Sequence, residues 1–468
     1  MYLSVSSSGS ESGNLLLNDS LKIEEPTTIY DDQINLIEPY YIDETNNKFS
    51  SSKWRDVWAA VFWILNLMLL ALISIFVKNE NNPDDTTSDK ANFFEVRWDL
   101  KNVSAIMISA IILSFILSFV WLEAIKRFAR TLIIITLFLN ICSFLVSAIV
   151  MFYYGSIISG IGMLVMFFVS LFVSIFWRSR IPFSTAVLIE VVKILKQFKS
   201  MIIISLIGIV IQISWVLIWS VIVYRTSNLQ SGLWSIYLLF SYYFTSSVIN
   251  NIVHTTCAGS YACYYFNSDQ LNGDPTWNSL RRASTYSFGS ICLSSIIVAI
   301  IKTLRSLART ALKNENQVVK CIFNCILSFV EWLSEYFNAY ALIHVAIYGK
   351  SLLKSSKATW TLLKERGIFA LINDDLIGNV LLLASAVTGI VSGLFSAIWA
   401  HSVFEGQIWF GFLSVGFLIG FCLTLVIFEP IFAGSMTYFV CFADDPNALQ
   451  QSNPELYKKF RETYSFTF

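Results

Sequence analysis

The sequence predicts an all-α polytopic membrane protein with about ten transmembrane helices, some long or broken, and a disordered cytosolic N-terminal tail. Of its 468 residues, 55% are hydrophobic and 14% are charged, whereas soluble domains carry roughly 25% charged residues. The apolar residues are also gathered into repeated runs of about 20, the length with which an α-helix crosses the hydrocarbon core of a bilayer.

Ten apolar runs are long enough to cross about 30 Å of hydrocarbon. They lie near residues 57–77, 103–122, 131–153, 157–177, 200–224, 233–266, 285–304, 320–349, 376–400 and 407–441. The runs at 233–266, 320–349 and 407–441 exceed the length of one span. This excess predicts helices that are tilted, kinked or partly broken.

Polar segments flank the runs and divide the chain into three parts. Residues 1–52 are rich in Ser, Asn, Asp and Glu and lack the order of a signal peptide, so we predict a disordered cytosolic tail. Residues 53–441 form the predicted transmembrane domain, and residues 442–468 form a predicted cytosolic C-terminal tail.

Basic residues beside the runs predict the orientation, because basic loops resist translocation. Lys53 and Arg55 precede the first run and a basic cluster lies at 458–461, whereas the loops 154–156 and 401–406 carry no Lys or Arg. Both termini are therefore predicted to be cytosolic.

The basic connection at 302–320 disobeys this pattern, since a ten-span count places it outside. Either the charge rule is overridden there, or the flanking runs at 285–304 and 320–349 are re-entrant and eight true spans remain.

Composition and motifs predict no catalytic residue, cofactor, metal, nucleotide or nucleic acid. The formal net charge is zero, which disfavours nucleic acid. The Gly-Lys-Ser triplet at 349–351 has His344 where a phosphate-binding loop needs glycine. Cys321 and Cys325 lack further ligands at metal-binding spacing, and no HExxH or GxSxG motif accompanies the histidines.

Five blocks of sequence carry a family resemblance. They read KWRDVWAAVFW at 53–63, FSYYFTSSVINNIVHTTCAGSYACYYF at 240–266, SFGSICLSSIIVAI at 287–300, NAYALIHVAIYGKSLLKSSKATWTLL at 338–363 and VCFADDPNALQQSNPELYKKF at 440–460. In these blocks and their order the chain resembles the choline transporter-like family, and within it the fungal branch named for a pH-nine-sensitive protein. The resemblance implies a ten-span solute carrier of the plasma membrane with both termini cytosolic, and it leaves the substrate open.

The sixth run contains a polar cluster at membrane depth, where such groups commonly line a pathway or bind a ligand. Asn250 and His254 are four residues apart and share a helix face, Asn251 lies beside them, and Thr255 and Gly259 predict local unwinding. The alternative is that these side chains join helices through hydrogen bonds, worth about 0.6 kcal/mol each.

A quaternary ammonium ligand needs aromatic faces and a carboxylate. The aromatic candidates are Trp215, Trp219, Tyr242, Tyr243, Tyr261 and Tyr264. Their alternative role is contact with lipid or its interface.

Glu429 is the preferred carboxylate for such a ligand, because Pro430 after it predicts a helix break at membrane depth. Its alternative role is capping at the membrane interface. Glu331 and Glu335 are expected to mark a solvated kink. The glycine pairs Gly389 with Gly393 and Gly416 with Gly420 predict close helix packing.

These patterns predict a secondary transporter or facilitator of a small organic solute, such as choline or a related organic cation. Its partners would be the lipid bilayer and that solute, and no element for ATP binding is predicted. The alternative function is a non-transporting membrane scaffold or lipid-interaction protein.

Overall fold

A computed structural model describes residues 53–76, 100–226, 232–267, 273–312, 317–404 and 409–465, all in one compact unit. The predicted tail at 1–52 lies outside these residues. Over the described ranges the chain forms helices joined by short connections, with a 3₁₀ turn at Arg178–Arg180 and no strand. The all-α fold class is therefore confirmed.

Within the described residues each predicted run lies almost entirely inside a helix, and further helices lie outside the runs. The helices are α1 (Val57–Phe76), α2 (Leu100–Tyr153), α3 (Ile157–Trp177), α4 (Ile181–Gln197), α5 (Ser200–Arg225), α6 (Gly232–Asn267), α7 (Pro275–Ser284), α8 (Phe288–Ala311), α9 (Gln317–Tyr348), α10 (Leu352–Val403), α11 (Trp409–Asp444), α12 (Pro446–Ser452) and α13 (Pro454–Ser465).

Seven helical segments of the described chain are long and apolar enough to cross a membrane. They are Val57–Ile75, Asn102–Tyr153, Ser159–Gln197, Ser200–Arg225, Phe288–Ala311, Ala370–Val403 and Trp409–Asp444. The protein is therefore a multi-pass membrane protein, because an apolar helix satisfies its own backbone groups in hydrocarbon.

Helix α2 contains two of the predicted runs. It extends over 54 residues, and Phe128 in it has non-helical angles of φ −121° and ψ 22°. At about 1.5 Å per residue, a helix of this length exceeds the thickness of one bilayer. The segment between the predicted runs at 103–122 and 131–153 is thus a helical kink, and the two runs belong to one helix.

The long helices α6, α9 and α11 continue where the sequence predicted interruptions. Helix α11 passes through Pro430 without ending, so the predicted break there is wrong. A proline removes one backbone donor, and neighbouring helices in a bundle compensate for this loss. Helix α6 likewise remains helical at Thr255 and Gly259, and the predicted unwinding is wrong.

Gly259 instead permits close packing of α7 against α6. A β-carbon at Gly259 would lie 3.1 Å from Ser279 Oγ and 3.6 Å from a guanidinium nitrogen of Arg282. Arg282 donates a hydrogen bond to the carbonyl oxygen of Ala346 near the end of α9. Burial lowers the pKa of this guanidinium. Gly259 therefore makes room for a half-buried arginine that holds a helix end.

The acidic residues of α9 pair with basic residues of α8. Glu335 Oε1 lies 2.7 Å from Lys302 Nζ, and Glu331 forms an ion pair with Arg305. The solvated kink expected at these glutamates is wrong, because α9 is one continuous helix. Helices α8 and α9 are both unbroken, and the side of the membrane on which the connection at 302–320 lies stays a prediction.

The glycine pairs confirm the predicted close packing, which joins α10 to α11. A β-carbon on Gly393 would lie 2.7 Å from the carbonyl oxygen of Leu413. On Gly420 it would lie 2.9 Å from the carbonyl oxygen of Thr388 and 3.0 Å from the α-carbon of Gly389. Small residues thus bring the two backbones together over several turns.

Asp56 lies just before α1 and connects this part of the chain to α8 and α10. Its Oδ2 accepts hydrogen bonds from Ser290 Oγ at 2.6 Å and from the backbone N–H of Leu352 at 2.9 Å. Asp56 has a φ of 50°, in the left-handed region that Asp tolerates better than most residues. Since Ser351 forms no side-chain cap with the described residues of α10, Asp56 supplies the capping acceptor for that helix from a distant part of the chain.

Asp56→Ala is expected to lower the free energy of unfolding by about 2 kcal/mol, because two charge-assisted hydrogen bonds are lost together. The thermal midpoint of the detergent-purified full chain measures the effect. Asp56→Asn is the matched control, since its amide oxygen still accepts a hydrogen bond, and we expect a smaller loss. Equal midpoints for Asp56→Ala and the wild type would contradict the capping role.

The segment predicted as a C-terminal tail begins with buried residues. Helix α11 extends to Asp444, and α12 and α13 follow it. Phe460 is fully buried, with ring centroids 4.7 Å from Phe183 and 5.0 Å from Phe442. This part of the chain packs on α4 and is ordered by apolar burial.

Candidate functional site

His254 and Glu429, the two preferred polar candidates, lie opposite each other on α6 and α11. The distance from His254 Nδ1 to Glu429 Oε1 is 3.7 Å. His254 is 6% exposed, whereas the Glu429 side chain is 43% exposed. His254 Nε2 has no hydrogen-bond partner within the described residues. We call these two residues the His–Glu pair.

Close packing of α6 and α11 positions the pair. A β-carbon at Gly434 of α11 would lie 2.6 Å from the ring of Tyr261 on α6. Tyr261 is fully buried, and its hydroxyl donates to the carbonyl oxygen of Val191 on α4 at 3.3 Å. Tyr261 therefore holds α6 between two other helices and is closed to a ligand.

The three other polar candidates of α6 have different surroundings. Asn251 Nδ2 donates to Ser295 Oγ on α8 at 2.9 Å, which fits the helix-joining alternative. Asn250 is exposed and lies one turn from His254. Thr255 is buried, and its Oγ1 has no hydrogen-bond partner among the described side chains and backbone groups.

Most aromatic candidates lie away from the His–Glu pair. The ring of Tyr242 packs 4.9 Å from Trp219 and 5.4 Å from Tyr243. Because twelve residues of helix separate Tyr242 from His254, these rings lie about 18 Å along α6 from the pair. Tyr264 instead contacts the ring of Phe198, with centroids 6.0 Å apart.

Trp215 lines an apolar cleft between α1 and α5. The cleft has a volume of about 470 Å³ and includes Leu70, Ile222 and Arg225 in its lining. The described residues contribute no carboxylate to this lining, and the charge they do contribute is the guanidinium of Arg225. The cleft therefore lacks the negative charge that would attract an organic cation.

A second ionisable cluster lies between α9 and α10 and was missed by sequence reasoning. Asp374 Oδ2 accepts hydrogen bonds from the hydroxyls of Tyr340 at 2.6 Å and Tyr336 at 3.1 Å. One turn further, His344 Nε2 lies 3.9 Å from Asp444 Oδ2. The four-residue spacing of Tyr336, Tyr340 and His344 could have revealed this face.

Metal binding receives no support from the described residues. They contain no group of three or more His, Cys, Asp or Glu side chains placed to hold an ion.

Comparison with known proteins gives the family. A profile described as "Plasma-membrane choline transporter" matches residues 161–447, which contain the His–Glu pair and Asp374. The chain belongs to the choline transporter-like family. The predicted resemblance is thus confirmed, and the family is one of transporter-like membrane proteins rather than enzymes.

Relatives match the chain over most of its length. A CTL-like protein of Dictyostelium discoideum is 33% identical over 444 residues, covering 90% of this chain and 77% of the relative. A protein PNS1 of Mycosarcoma maydis is 30% identical, covering 88% and 83% respectively. A protein PNS1 of Gibberella zeae is 31% identical, covering 89% and 84%.

Proposed function

We propose that this protein is a secondary transporter or facilitator of a small organic cation, choline or a related quaternary ammonium, in the plasma membrane. Membership of the choline transporter-like family supports the transport class and the membrane. Basic residues flanking the first run and near the C-terminus support a cytosolic position for both termini.

The observation that carries this proposal is the His–Glu pair. Glu429 supplies an accessible negative charge between two helices, and His254 lies 3.7 Å from it. A quaternary ammonium head offers no hydrogen-bond donor, so it is attracted by charge and by aromatic faces. When the imidazole carries a proton, it competes with the cation for the same carboxylate. Binding of substrate at Glu429 thus favours release of the proton from His254.

The aromatic part of the proposed pathway comprises Trp219, Tyr242 and Tyr243. Their rings contact one another, and the indole N–H of Trp219 donates to the carbonyl oxygen of Leu238 at 3.0 Å. This hydrogen bond fixes the indole plane. A cation leaving Glu429 would meet these aromatic faces further along α6.

Radiolabelled choline uptake into proteoliposomes containing the purified full chain tests the proposal, with and without a pH gradient. We expect Glu429→Gln to reduce uptake at least about tenfold, since the attraction lost exceeds about 1.4 kcal/mol. We expect His254→Ala to remove the dependence of uptake on the pH gradient. Both expectations follow because the organic cation and the protonated imidazole of His254 compete for the Glu429 carboxylate.

The matched controls are His401→Ala and Glu365→Gln, which change exposed residues of α10 and should leave uptake unchanged. Wild-type protein that is folded but neither binds nor moves any organic cation would overturn the proposed substrate class. Normal uptake by Glu429→Gln would remove the His–Glu pair from the pathway while keeping the transport function.

A further inference from the structure

Asp374 is a buried acid within an apolar helix. It is 5% exposed and lies in the membrane-crossing segment Ala370–Val403 of α10. Tyr340 and Tyr336 of α9 both donate their hydroxyls to Asp374 Oδ2, and Asn373 Nδ2 donates to Oδ1 at 3.5 Å. Asp374 therefore has neutral donors on both oxygens.

Within the described chain, a positive partner is missing from this cluster. The ionisable groups near Asp374 are Tyr336 and Tyr340 on α9 and the adjacent Asp375 on α10. The other helices packed on α10 are α2, α4, α8 and α11. None of their described side chains forms an ion pair or hydrogen bond with Asp374. A buried carboxylate without a counter-charge is costly, and neutral donors offset only part of that cost.

The surroundings of Asp374 determine which cation could neutralise it. Tyr340 is fully buried, and the rings of Tyr336 and Tyr340 lie 5.0 Å apart and close the site on the α9 side. The described residues provide no second or third acidic or histidine ligand around it for a metal ion. An organic cation would require an open aromatic-lined space. A proton binds directly to a carboxylate oxygen, so it needs no further ligands and no cavity.

We propose that Asp374 is a proton-binding site between α9 and α10, on a different pair of helices from the His–Glu pair. When the carboxyl binds a proton on Oδ2, this oxygen becomes a donor, and one of the two tyrosine hydroxyls that now donate to it turns to accept from it. Protonation thereby changes the hydrogen bonds that join α9 to α10. Further along the same face of α9, His344 continues the series of ionisable groups, with its Nε2 3.9 Å from Oδ2 of Asp444 at the end of α11.

Infrared difference spectroscopy of the purified full chain, recorded between alkaline and acidic buffers, tests the site directly. We expect the carbonyl-stretch band of a protonated carboxylic acid to appear in the wild type and to be lost in Asp374→Asn. The matched control is Asp375→Asn, because Asp375 is the next residue, is exposed and pairs with Asn379. That variant should keep the band.

Tyr340→Phe provides a second test that does not depend on the folding of Asp374→Asn. It keeps the acid but removes one hydrogen bond from it, so the band should remain and shift in frequency. The inference is overturned if Asp374→Asn keeps the whole wild-type spectrum, or if Tyr340→Phe leaves every acid band unshifted. The measurement involves no transported solute, and its result is therefore independent of the proposed transport function.

Discussion

Gly289→Ala is expected to lower the free energy of unfolding by about 3 kcal/mol or more, at the upper end of overpacking effects. A β-carbon at this position would lie 2.5 Å from the carbonyl oxygen of Asp56 and still closer to that of Arg55. Both are backbone atoms, which cannot rotate away as a flexible side chain can. Asp56 is also fixed by its hydrogen bonds to Ser290 and Leu352.

The thermal midpoint of the detergent-purified protein measures this effect, with Gly162→Ala as the matched control. A β-carbon at Gly162 of α3 would meet no atom of the described residues within 4 Å, and alanine is favoured over glycine inside a helix by roughly 1 kcal/mol. We therefore expect the control to melt at or above the wild-type temperature. A Gly289→Ala protein as stable as the control would contradict the close approach of the Arg55–Asp56 backbone.

Hydropathy predicted most of the helices because of a constraint that acts on each segment alone. An apolar segment in lipid must satisfy its backbone groups internally, so it becomes a helix whatever its neighbours are. The runs at 157–177 and 200–224 accordingly match α3 and α5 almost residue for residue. The same reasoning could not join the two runs of α2, because the hydropathy of the segment around Phe128 does not distinguish a helical kink from a loop.

The interruptions were mispredicted because local signals were overridden by partners distant in sequence. Glu331 looked like a solvated residue, yet it pairs with Arg305 on another helix. Gly259 looked like a point of unwinding, yet it accommodates Ser279 and Arg282 of α7. The structure at both residues depends on which helices pack against their own. The sequence of a single helix does not contain this information.

The candidate site was predictable in its residues but not in its assembly. His254 and Glu429 were individually identifiable as polar groups in apolar runs, whereas their 3.7 Å approach requires the packing of α6 on α11. Asp374 was missed because the apolar run was taken to begin at 376, two residues after it. The helix itself begins much earlier, at Leu352, and carries Asp374 into the bundle.

Gly420→Ala is expected to lower the free energy of unfolding by about 2 to 3 kcal/mol, because it separates α10 from α11 along their whole contact. The added carbon would lie 2.8 Å from Ser392 Cβ and 2.9 Å from the carbonyl oxygen of Thr388. Helix α11 also carries Glu429, nine residues and about 13 Å beyond Gly420. If Glu429 attracts the transported cation as proposed, a displaced α11 changes uptake of that cation as well as stability.

Thermal midpoints and uptake measured on the same preparations test this coupling, with Gly411→Ala as the control on the same helix. A β-carbon at Gly411 would have no atom of the described chain within 4 Å, so this variant should match the wild type in both measurements. Gly393→Ala should resemble Gly420→Ala, and the double variant should cost less than the sum, because helices already separated leave room for the second carbon. If the two losses were additive, each alanine would instead create only a local clash and would leave α11 in place.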